Sequence, residues 1–202
     1  MSVKDDTQHI NKTDNTNEER GIDFRPCIYV VSLSDYNNSV DHGVWINADQ
    51  EDDKIFAEIN AMLKSSPSAP NAKEYIIQDY DCFGPLEIDK HEDIKKVAAI
   101  ARHMTEYEAF DEWTELVGID EASSDNAVEE YLEAYQGNYE TEQDYAEQLF
   151  DDCGVDAILD KEVPDNLRPY ITVDYDLFIR DLKAEGYSFT FEYDEGVCVF
   201  RM

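Results

Sequence analysis

"VEEYLEAYQGNYETEQDYAEQLFDD", Val128–Asp152, holds nine carboxylates, four tyrosines, and neither lysine nor arginine. Val128, Tyr131, Leu132 and Tyr135 recur at helical spacing and predict a buried stripe, with Glu129, Glu130 and Glu133 towards water. Gly137 stands where a helix C′ glycine belongs, and Thr141 is an N-cap candidate. A second helix then places Tyr145, Ala146, Leu149 and Phe150 inward, with Glu142, Glu147 and Asp151 mostly outward. The stretch predicts two helices whose cores are aromatic and whose outer faces carry only negative charge.

Working outward, the whole of 89–153 carries helix punctuation. Asp89 with Glu92 and Thr105 with Glu108 have capping-box spacing, Ser124 is a further N-cap candidate, and Gly118 and Gly154 are placed as C′ glycines. Upstream, "CIYVVSL" (27–33), "GVWIN" (43–47) and "EYIIQDY" (74–80) predict strands, with "SDYNNS" between the first two as a loop. Residues 50–64 predict a helix, from Ile55, Phe56, Ile59, Met62 and Leu63. Downstream, 174–184 predicts a helix ended by Gly186. "YSFTFEY" and "VCVFR" predict a hairpin turning through "DEG". The fold class is therefore α+β. Its expected order is a disordered polar extension (1–25), an N-terminal α+β domain (26–86), a central helical domain (87–136) and a C-terminal α+β domain (137–202).

At 202 residues, 42% hydrophobic and 12% aromatic, the chain can build a real core, which a disordered acidic tail cannot. Its net charge is −32, from 48 acids and 16 bases. Between His103 and Asp160 there are 19 acids and no lysine or arginine, where the chain average implies about four to five bases. That field repels nucleic acid and anionic lipid and attracts basic proteins. Halophilic adaptation or solubility would raise charge everywhere, whereas this depletion is regional. Cys27, Cys82, Cys153 and Cys198 form no CxxC and read as reduced thiols in a cytoplasmic protein. No signal peptide and no membrane span are visible.

The search for chemistry finds little. "DYDCFGPLEIDK" (79–90) imitates an EF-hand at Asp79, Asp81 and Gly84 but fails at two ligand positions, with Phe83 and Lys90. His9, His42, His91 and His103 have no ligand spacing and read as structural. There is no phosphate loop or nucleophile elbow, and acid pairs are too common to single out a dyad. No cofactor and no metal are implied. What remains is electrostatic. Duplex DNA carries one charge per ~1.7 Å, so 32 charges match roughly 54 Å, about 16 base pairs. Carboxylates at i, i+3 and i+4 of a helix stand ~5–6 Å apart, a spacing able to imitate phosphates. The alternatives are an acidic module or chaperone for basic proteins, and an enzyme built on acid pairs.

Four segments, in order, carry a resemblance: "CIYVVSLSDYNNSVDHGVWIN", "IIQDYDCFGPLEID", "EAYQGNYETEQDYAEQLFDD" and "YITVDYDLFIRDLKAEGYSFTFEYDEGVCVF". From about residue 26 to 202 the chain resembles the ArdA-type antirestriction proteins. The resemblance implies an elongated three-domain α+β chain from a mobile genetic element such as a plasmid. It implies a homodimer that imitates bent B-form DNA, occupies the specificity and modification subunits of Type I restriction-modification enzymes, and competes with duplex DNA without binding nucleic acid or membrane. No catalytic residue is implied. The family's antirestriction motif is placed on 129–152. The expected phosphate-mimicking carboxylates are Glu106, Glu108, Asp111, Glu112, Glu115, Asp120, Glu121, Asp125, Glu129, Glu130, Glu133, Glu140, Glu142, Asp144, Glu147, Asp151 and Asp152.

Overall fold

The structure, a computed structural model, describes residues 25–70, 72–192 and 196–202. The expected extension lies outside the described residues except for Arg25, as does the hairpin turn at 193–195.

β-Branched residues make the first sheet. β1 (Cys27–Ser32) is its central strand, flanked antiparallel by β2 (Gly43–Asn47) and β3 (Tyr75–Asp81). The registers pair Tyr29 with Trp45 and with Asp79, and the β3 register shifts between Tyr29 and Val30. Between β1 and β2 the stretch expected as loop contains a short helix, α1 (Leu33–Asn37), because buried Asp35 anchors it. Ile28, Val30, Ile46 and Ile77 turn to a core closed by α2 (Asp52–Lys64), which buries Ile55, Ile59, Met62 and Leu63 at the spacing of a helix face.

That core continues without a break into α3 (Ile94–Glu106), α4 (Phe110–Val117), α5 (Ile119–Ala122) and α6 (Ala127–Ala134). Several caps differ from expectation. Asp93 caps α3, accepting from the Lys95 amide, while Asp89 accepts from the His91 amide in the preceding turn. Thr105 lies inside α3 and donates to the Arg102 carbonyl; α4 begins instead after left-handed Ala109. The Ser124 hydroxyl caps nothing, and α6 starts three residues later. Gly118 does end α4, with a positive φ of 92° and its amide on the Thr114 carbonyl.

The quoted stretch departs from the two-helix reading. α6 stops at Ala134, and Tyr135–Tyr139 is a strand, β4. Gly137, expected as a helix C′ residue, sits in that strand at φ 120°, where the register against the last strand shifts. A helix follows as expected: α7 (Glu142–Asp152) is capped by Thr141, whose hydroxyl accepts from the Asp144 amide. Then come α8 (Val155–Glu162), a 3-10 turn (Arg168–Tyr170), α9 (Tyr175–Ala184), β5 (Tyr187–Glu192) and β6 (Gly196–Arg201). The second sheet is antiparallel in the order β4-β6-β5.

β6 separates two packed layers. Cys198 and Phe200 belong to the large core, with Tyr131 and Trp113. Val197 and Val199 alternate to the other face and pack with Tyr145 of α7 and Leu182 of α9. Tyr131 is 2% exposed and lies 5.3–6.5 Å, centroid to centroid, from the rings of Tyr107, Phe110, Trp113, Tyr135 and Phe200. Leu132, expected beside it in the buried stripe, is 59% exposed. With α6 only eight residues long, the stripe is one residue wide at that level and Tyr131 fills it.

Candidate functional site

Helices α4 to α7 set where the acids point. Their inner faces are taken by aromatic and alanine side chains, so their carboxylates fall on the remaining arc. Glu106, Glu108, Glu115, Asp120, Glu121, Asp125, Glu129, Glu133, Glu140, Asp144, Asp151 and Asp152 are exposed. Asp111, Glu130, Glu142 and Glu147 are half-buried. Glu112 is 8% exposed and falls on the inner side of α4 next to Trp113, unlike the exposed position expected of it.

The compensation is sparse. Among the described residues, and setting Glu112 aside, ion pairs reach Asp120 (from Lys96) and Glu142 (from Lys183, 2.7 Å) in this set. Other members take neutral donors. Glu108 accepts from the Tyr135 hydroxyl (3.2 Å), Asp144 from the Thr141 hydroxyl and Glu147 from the Gln143 amide (2.6 Å). Just beyond, Arg168 holds Asp156 and Asp160 together, so the uncompensated run ends where α8 begins.

Crowding is sharpest across α5 and α6. The Glu130 carboxyl is pushed above its usual range by burial, by a hydrogen bond to Glu121, and by the charges of Glu121, Glu133 and Glu129. Asp111 is also raised, by burial, against hydrogen bonds from its own amide and that of Glu112. Its carboxylate packs on Gly84, whose φ of +55° and lack of a Cβ leave room for it. Burial first, then the charge of Glu108, pushes the Tyr131 and Tyr135 hydroxyls upward, so both stay neutral donors under an anionic surface.

One catalytic-looking arrangement lies elsewhere. The Asp35 Oδ2 and His42 Nδ1 atoms are 2.9 Å apart, and His42 Nε2 is 3.2 Å from the Ser65 hydroxyl. Ser65, however, sits at the C-terminal end of α2 and donates to the Met62 carbonyl at 2.9 Å. The negative end of a helix opposes a developing oxyanion rather than stabilising it. Burial alone would raise the Asp35 carboxyl, but hydrogen bonds from Ser68, Ser66 and His42 hold it down at about 2. The group ties α1 and the start of β2 to the 65–68 loop. Sequence reading took His42 as structural but did not find these partners, because Ser66 and Ser68 are far along the chain.

Among the described residues no group of histidine, cysteine and acid side chains could hold a metal, and no helix is long and apolar enough to cross a membrane. Asp79 and Asp81, the EF-hand lookalike, accept instead from the amides of Tyr80 and Cys82. A comparison with curated proteins gives no match. The family model described as antirestriction protein (ArdA) matches residues 28–198, most of the chain, from the second residue of β1 into β6, and the chain belongs to that family.

Proposed function

We propose that this antirestriction protein acts as a counterfeit of B-form DNA. Its carboxylates stand in for phosphates and occupy the DNA-binding groove of a Type I restriction-modification enzyme, across the specificity and modification subunits. Incoming mobile DNA, such as a plasmid, then escapes cleavage in the host cytoplasm. The chain works as a homodimer and needs no cofactor and no chemistry of its own. It competes with duplex without binding nucleic acid itself.

The observation that carries this reading is the sparse compensation of the 106–152 acids: among the described residues, and setting Glu112 aside, their ion pairs come from Lys96 and Lys183, and twelve of the carboxylates are exposed. A groove that grips DNA reads phosphates as a summed field of many modest contacts. A surface meant for it has to leave its charges unspent on internal partners. The site set is the one read from the sequence without Glu112. The test is cleavage of unmodified DNA by a purified Type I enzyme with increasing amounts of this protein. The reading requires stoichiometric inhibition that excess duplex relieves. Undiminished cleavage at a large molar excess refutes it.

A further inference from the structure

The acidic face is not a uniform field. Between α4, α6 and the end of β6 lies a cavity of about 340 Å³, lined by Trp113, Val117, Glu130, Glu133, Ala134, Arg201 and Met202. Its walls are apolar where Trp113, Val117, Ala134 and Met202 meet, and Glu130 and Glu133 stand one helical turn apart. The lining's own cation, Arg201, is engaged with the ring of Tyr187, 5.7 Å from its centroid.

A cavity with apolar walls and two carboxylates selects an amphipathic cation. A simple metal ion gains nothing from the walls. An apolar side chain leaves the carboxylates in place with nothing to pair. A lysine satisfies the charge as a point, whereas a guanidinium is planar, weakly hydrated and able to take two carboxylate oxygens at once while its stem lies on apolar surface. Arginine is also the charged residue that most often anchors protein interfaces. We infer that this cavity is a socket for one arginine side chain of the protein partner, set within the acidic face and more selective than the face around it. The inference rests on the proposed function for the identity of the partner. Glu130's crowding by Glu121, Glu129 and Glu133 supports it, since an incoming cation relieves that repulsion.

Two measurements test it. The chain has two tryptophans, and Trp45 is in β2, outside the cavity, so Trp45 is an internal reference for Trp113. Titrating N-acetyl-arginine methylamide into the full chain should move the Trp113 indole resonance saturably and leave Trp45 in place. The lysine analogue should bind about tenfold more weakly. E130Q/E133Q should abolish the shift at a melting temperature no lower than wild type, since it relieves the crowding of Glu130, and the charge-matched E140Q/D151N should keep the shift. An unmoved Trp113, or equal response to arginine and lysine, overturns the socket. With a purified Type I methyltransferase, E130Q/E133Q should lose at least tenfold more affinity than E140Q/D151N. Equal losses overturn the socket and leave DNA mimicry standing. Failure of the wild-type chain to bind the enzyme overturns the partner assignment and the proposed function together, and the small-probe titration, which contains no enzyme, then shows whether the cavity itself takes a guanidinium.

Discussion

Adjacent residues of α6 should respond to truncation in opposite ways. Tyr131 is 2% exposed, is surrounded by five rings, and its hydroxyl donates to the Glu108 carbonyl. Leu132 is 59% exposed. Replacing Tyr131 by Ala removes a fully packed aromatic ring and leaves a cavity, costing ~3–5 kcal/mol. For a chain of this size ~1 kcal/mol moves the melting temperature by about 2–4 °C, so Tyr131→Ala should lower it by roughly 6–20 °C. Tyr131→Phe keeps the ring and loses one part-buried hydrogen bond, about 1 kcal/mol. Leu132→Ala should fall within ~0.5 kcal/mol of wild type. Urea unfolding of the four proteins measures this. A Leu132→Ala loss as large as that of Tyr131→Ala would mean that α6 is rotated by about 100° from the orientation described, and the aromatic cluster beneath the acidic face would be wrong.

Stability should also depend on pH in a set direction. Asp111 and Glu130 have folded pKa values above their ordinary ones, so the fold is penalised as pH rises through the ordinary carboxylate range. Asp35, held at about 2, contributes stability that is present above its ordinary value and is lost as pH falls towards 2. The melting temperature should therefore peak at mildly acidic pH, about 5, with salt lifting the values at pH 8; a higher value at pH 8 in low salt would contradict the repulsion argument. Gly84→Ala should cost about 1–3 kcal/mol, since φ +55° strains any other residue and a Cβ would fall on the Asp111 carboxylate. An unchanged urea midpoint would refute that packing. Neutralising one exposed carboxylate outside the cavity, such as Glu129, should weaken binding to a Type I methyltransferase less than about fivefold, the worth of an exposed charge pair, whereas neutralising six carboxylates of 129–152 together should cost several kcal/mol. Loss of all binding from one rim substitution such as Glu140→Gln, with the fold intact, would point to a single focused site.

Much of this architecture could be read from local pattern. The β-branched run of β1, the Ile55–Leu63 face of α2, the Thr141 cap and the alternation of β6 are all short-range signals, and the elements lie where those signals put them. Some caps differ locally from expectation, at Thr105 and Ser124, but the misses that change the elements are long-range. "YQGNY" becomes a strand because β6, some sixty residues later, offers Phe200, Val199, Cys198 and Val197 as partners. Alone, its tyrosines continue a helical stripe and its glycine ends one. α1 exists because Asp35 finds Ser66 and Ser68 about thirty residues on. The acids at the site were legible as a regional loss of lysine and arginine. Their individual positions were not: burial of Glu112 and the pairing of Glu142 with Lys183 depend on which helix face meets the core.

The measurement that tests the central claim most directly is competition. A fluorescent duplex carrying the recognition sequence is bound to a purified Type I methyltransferase, and this protein is titrated in while anisotropy is followed. If the acidic face is a counterfeit of DNA, the duplex is displaced completely, one site against one site, no ternary complex forms, and displacement weakens steeply as salt rises. A stable ternary complex of enzyme, duplex and this protein, or displacement indifferent to salt, would contradict the account.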